Sequence, residues 1–167
     1  LTNSVVEVNA EENSHLNIIN IQNESKLTYH ISSLGILQNY HSKINNNTIS
    51  IGGQLIRNNI FVNLKEEGAE CVLNGVTIAN NKQQVDNHTI IKHTSPNTMS
   101  KELFKGIYAD NSRGIFDGKI IVGQQATKIH SEQLNNNILL SENASVNSNP
   151  QLEINTDDVS CKHGSTT

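Results

Sequence analysis

Apolar and polar residues alternate in short stretches along almost the whole chain, as in Leu27, Tyr29, Ile31, then Ile60, Val62, Leu64, then Val76, Ile78, and later Leu152, Ile154. A period of two is that of a strand with one buried face. The stretches are bounded by turn-forming groups such as Asn45-Asn46-Asn47, Gly52-Gly53, Asn74-Gly75 and Asp110-Asn111-Ser112, residues that accept the backbone conformations of tight turns. The best helical candidate, Lys101 to Lys105, runs straight into Gly106 and is too short to stand as a helix. The chain reads as all-β.

Sandwiches, closed barrels and solenoids then compete. Sandwiches and barrels commonly fill their cores with large aromatics, but here Phe, Tyr and Trp make up only 4 % of the residues, whereas Asn occurs 26 times and Ile 20 times. A solenoid stacks the aliphatics of one coil on those of the next in a narrow interior, so Ile, Val and Leu can suffice. Asn suits its corners because it tolerates left-handed backbone, and its amide can form ladders between coils. The expectation is a β-helix occupying residues 1–167 as one core domain. The stretch His41 to Ser50 resembles His130 to Ser141, as internal repetition requires. The chain opens at Leu1 without an initiator methionine, and it is expected to be a fragment of a longer protein.

Cys161 and His163 lie two residues apart, so on a strand both side chains project to the same face. Thiolate and imidazole suit iron in sulfur-rich sites and zinc. Two ligands do not complete a site, and the others would come from a second chain. In the plainer alternative, Cys161 continues the buried face of Val159 and His163 is a polar residue at a strand end. His88 and His93, five apart, fall on opposite faces of a continuous strand and read as surface or corner residues. Asp157 and Asp158 diverge likewise, unlike the facing carboxylates of a glycosidase. Lys65-Glu66-Glu67 is a loop charge cluster, and no phosphate-binding Gly-Lys-Ser/Thr loop is present.

A net charge of −4 and a pI near 5.9 provide no basic stripe for nucleic acid or an anionic membrane surface. No apolar run approaches the roughly 18 residues needed to span a bilayer, and residues 1–12 do not read as a secretory signal. With only Cys71 and Cys161 there is no disulfide framework. A cytoplasmic, reducing setting is expected.

Beyond these features the sequence resembles the SufB/SufD family of the SUF iron-sulfur cluster assembly system, and within it the SufD-like subunits. The resemblance runs through His93-Thr94-Ser95-Pro96, Ser100 to Ile107, Asp110 to Ile120, Gln133 to Ser141 and Asn149 to Ile154. It ends in Asp157-Asp158-Val159-Ser160-Cys161-Lys162-His163-Gly164-Ser165-Thr166. The sister subunit SufB usually carries a His-Glu-containing segment in place of Cys161-Lys162-His163-Gly164, which favours SufD. Ser165 stands where many members have Ala.

This resemblance implies a right-handed parallel β-helix, a single-stranded solenoid, with the family's helical flanks absent from this chain. It implies a non-catalytic scaffold that pairs with a SufB-like subunit through its C-terminal edge, in a complex containing the SufC-like ATPase, whose docking segment is expected to lie outside these residues. His163, and more weakly Cys161, would contribute to an interface site for iron or cluster. The isolated fragment would bind no cofactor, iron or an iron-sulfur cluster being held transiently in the complex, and alone the fragment could pair as a homodimer. A β-helical carbohydrate-active enzyme and a secreted structural or adhesin-like β-solenoid are the competing readings.

Overall fold

The computed structural model describes residues 1–167 and contains twelve strands and no helix. Lys101 to Lys105 lies within a strand. The odd-numbered strands β1 (Thr2–Ala10), β3 (Tyr29–Gln38), β5 (Leu55–Leu64), β7 (Gln84–His93), β9 (Arg113–Val122) and β11 (Ser145–Ile154) form one six-stranded sheet in that order. The even-numbered strands β2 (His15–Gln22), β4 (Lys43–Ser50), β6 (Glu70–Ala79), β8 (Met99–Tyr108), β10 (Ile129–Leu139) and β12 (Val159–Thr166) form the other. Every pairing is parallel. Each coil therefore contributes one strand to each sheet, and the chain is a parallel β-solenoid of about six turns.

Tyr29 stacks on Leu55 and Arg113 on Ser145, so a coil takes between 26 and 32 residues. That variation hides the repeat in the sequence. His41 to Ser50 and His130 to Ser141 do both lie along the even sheet, but the chain of registers places His130 over Lys43, not over His41, and Asn135 over Thr48.

The corners explain part of the asparagine content. Asn13, Asn81, Asn97 and Asp110 adopt positive φ, between 55° and 58°, where their short polar side chains are least penalised. Gly68 does so at φ 71° and is further constrained, because a Cβ there would lie 2.6 Å from Nδ1 of His41, the corner residue of the preceding coil. Asparagine also ladders between coils: Asn58 donates to Asn87 at 2.9 Å and Asn74 to Asn47 at 3.0 Å.

The core differs from the expected aliphatic filling. Ile60, Val62, Leu64, Leu73, Ile91 and Ile120 are buried as a solenoid interior requires, yet Phe104 and Phe116 pack within the same cluster, their ring centroids 5.2 Å apart. Polar side chains are buried as often as apolar ones, among them Gln38, Asn46, His93, Glu102 and Gln133. The outer surface is correspondingly aliphatic. Val76 and Ile78 are 44 % and 46 % exposed and Leu27 81 %, so those alternating sets mark the outside of the coil. Alternation locates a face but does not distinguish inside from outside when both carry Ile and Val.

Candidate functional site

At one end of the solenoid β12 lies along β10, its other edge unpaired in the sheet. The register sets Val159 over Ile129, Cys161 over Ser131 and His163 over Gln133, and all three β10 residues are buried. Val159 and Cys161 pack against the core cluster. Alternation then turns His163 to that inward face as well, and it is exposed. Cys161 thus continues the face of Val159 and shares that face with His163. Burial holds the Cys161 thiol above its ordinary pKa.

The outward positions tie β12 to its neighbours. Lys162 Nζ lies 3.0 Å from Glu132 Oε1, and Lys101 Nζ 3.6 Å from Glu132 Oε2. The hydrogen bond from Lys162 leads the effects that hold the Glu132 carboxyl below its usual range. Thr166 Oγ1 donates to Asn136 Oδ1 at 3.0 Å.

Two polar columns run inward beneath the pair. Under Cys161, Ser131 Oγ lies 2.7 Å from Ser100 Oγ, and Ser100 Oγ lies 2.9 Å from His93 Nε2. Thr98 gives its hydroxyl proton to the Ser95 carbonyl and stands 2.8 Å from His93 Nδ1. With the Thr98 hydroxyl given to Ser95, the arrangement suits a proton on Nδ1 and an Nε2 that accepts from Ser100. His93 is fully buried, and desolvation pushes its pKa down to about 4. Its expected surface or corner position is wrong: β7 runs unbroken through both histidines, and the five-residue spacing that sends His88 outward turns His93 into the core.

Under His163 the column is Gln133, then Glu102, both fully buried. Gln133 Nε2 donates to Glu102 Oε2 at 2.6 Å, while Glu102 Oε1 and Gln133 Oε1 have no partner. Burial raises the Glu102 pKa, opposed by the Gln133 hydrogen bond and the nearby Thr89 hydroxyl. The inward positions Ser100, Glu102, Ser131 and Gln133 escaped the reading of the sequence. Their signal was polar residues where the period of β8 and β10 requires inward ones.

The remaining candidates stay apart. His88 faces outward, its Nδ1 3.7 Å from Asp117 Oδ2. Asp157 and Asp158 lie in an exposed bend before β12, and Lys65 to Glu67 in the corner after β5. No three His, Cys, Asp or Glu side chains gather into a metal-binding group. Cys161 and His163 have the ligand chemistry for iron, as a pair that needs further donors.

Comparison with known proteins shows the family. The family model described as SUF system FeS cluster assembly, SufBD core domain, matches residues 1–167. The iron-sulfur cluster assembly protein SufD of Escherichia coli is 31 % identical over 159 residues, 95 % of this chain and 38 % of its own length. An iron-sulfur cluster assembly SufBD family protein of Synechocystis is 32 % identical over 98 % of this chain and 36 % of its own. The chloroplastic protein ABCI7 of Arabidopsis thaliana is 34 % identical over 98 % of this chain and 34 % of its own. The chain thus spans a little over a third of the length of these relatives.

Proposed function

From the premise that this chain belongs to the SufBD core-domain family of iron-sulfur cluster assembly proteins, we propose that it is the β-helical core of a SufD-like, non-catalytic scaffold subunit. It works in the cytoplasm, paired with a SufB-like subunit and, through other parts of the full-length protein, with a SufC-like ATPase. The observation that carries this reading is the match of residues 1–167 to the SufBD core domain, supported by β12, which sets Cys161 and His163 over the inward-facing Ser131 and Gln133 of β10. A SufB-like subunit docked against this face would bring the donors the pair lacks.

Iron or a nascent cluster is here cargo, held transiently by His163 and Cys161 together with groups of the SufB-like subunit. In the full-length protein His163→Ala is expected to lower the iron and sulfide recovered with the complex several-fold while leaving assembly intact, as read by anaerobic metal analysis and gel filtration. Unchanged metal content would leave His163 a structural residue and remove it from the site.

A further inference from the structure

We propose that the buried pair of Glu102 and Gln133 is a positioning device for His163, fixing which ring nitrogen carries the proton and which is free to meet iron. The inference rests on the reading of His163 as a ligand given above.

Glu102 is the most anomalous residue of the interior. A carboxyl with no solvent exposure, bonded to one side-chain amide, with the Thr89 hydroxyl near it and one oxygen without a close partner, is unfavourable in a core that apolar residues could fill. Leu73 occupies the same column one coil away, so the fold itself does not require an acid there. The chain of contacts leads in one direction. Gln133 points its Nε2 toward Glu102, which commits the amide donor to the carboxylate and leaves the amide oxygen as an acceptor with no partner. The position after Gln133 in the same inward column is His163.

Successive parallel strands stand about 4.8 Å apart, and across one such step Gln133 and Glu102 already close a bond of 2.6 Å. A histidine on the next step is long enough to close an equivalent bond. A ring N–H given to the Gln133 oxygen locks the imidazole in one tautomer, with the lone pair of the other nitrogen available to a metal, as metal-binding histidines generally require. Glu102 holds the amide donor of Gln133 and so orients its oxygen as the acceptor. The facing sheet leaves room for the arrangement: a Cβ on Gly118 would fall 2.5 Å from Gln133 Nε2. Gln133 and Glu102 thus act through His163 and do not themselves touch the cargo.

The test uses full-length protein labelled with ¹⁵N-histidine. The ring ¹⁵N–¹H spectrum of His163, assigned by its loss in His163→Ala, is expected to show one dominant tautomer. In Gln133→Met, which keeps side-chain length, it is expected to collapse toward an exchanging mixture, with the other histidines unchanged and Fe(II) affinity about tenfold weaker. Glu102→Gln, of nearly equal volume, is expected to shift the tautomer balance in the same direction by less. An unchanged His163 spectrum in Gln133→Met overturns the proposal. Should that variant fail to fold, an unchanged spectrum in Glu102→Gln does so. The two readings fail separately. Loss of iron in His163→Ala with a His163 ring indifferent to Gln133 removes the positioning alone, whereas a responsive ring with unchanged iron in His163→Ala removes the ligand role.

Discussion

Two buried ionisable residues give this solenoid a pH dependence of opposed parts. Desolvation lowers the His93 pKa from 6.5 to about 4. The folded state therefore prefers the neutral ring, and the stability this contributes is present above pH 6.5 and is lost as pH falls toward 4. A shift of that size corresponds to about 3 kcal/mol. Glu102 works the other way. Its pKa is raised above 4.5, so its contribution is full below 4.5 and is lost as pH rises through the raised folded value. The windows overlap, and the His93 effect is best read where Glu102 cannot titrate. In full-length Glu102→Gln, unfolding free energy from urea titrations is expected to fall by about 3 kcal/mol more between pH 7 and pH 4 than in the double variant with His93→Gln. Parallel pH profiles in the two proteins would show that His93 is not the group responsible.

At the scale of the strand, what matters is which of two aliphatic faces is inside. Leu64 is fully buried and Ile78 is 46 % exposed, although both stand in similar runs of alternating residues. Leu64→Ala is expected to lower stability by about 2–5 kcal/mol, whereas Ile78→Thr should change it by less than about 0.5 kcal/mol. Equal losses in thermal or urea unfolding would contradict the inside and outside assignments. The sequence made the strands and their turns legible, because period two and Asn or Gly corners are local properties. It identified Ile60, Val62 and Leu64 as a buried face correctly and took Val76 and Ile78 for one wrongly. The interior holds Asn46, Glu102 and Gln133, so polarity does not mark the outside. Cys161 and His163 were legible as a same-face pair from their spacing alone. The columns beneath them were not, since Ser131 and Ser100, or Gln133 and Glu102, are neighbours only through a register set by coils of unequal length.

For the molecule as a whole, stacked coils put most contacts between neighbours and leave two ends where pairing stops. The scarcity of aromatics pointed to this architecture rightly even though three of those few, Phe104, Tyr108 and Phe116, are buried. β12 sets a thiol and an imidazole over a polar interior. Residues 1–167 match the SufBD core-domain model throughout and cover a little over a third of the relatives' lengths. The most direct test of the scaffold role is anaerobic co-purification of the tagged full-length protein with SufB-like and SufC-like subunits, followed by iron and sulfide analysis of the gel-filtration peak. The account predicts one complex containing all three proteins, with iron and sulfide eluting in it. Elution of the full-length protein apart from a SufB-like subunit, with no iron or sulfide in the peak, would contradict it.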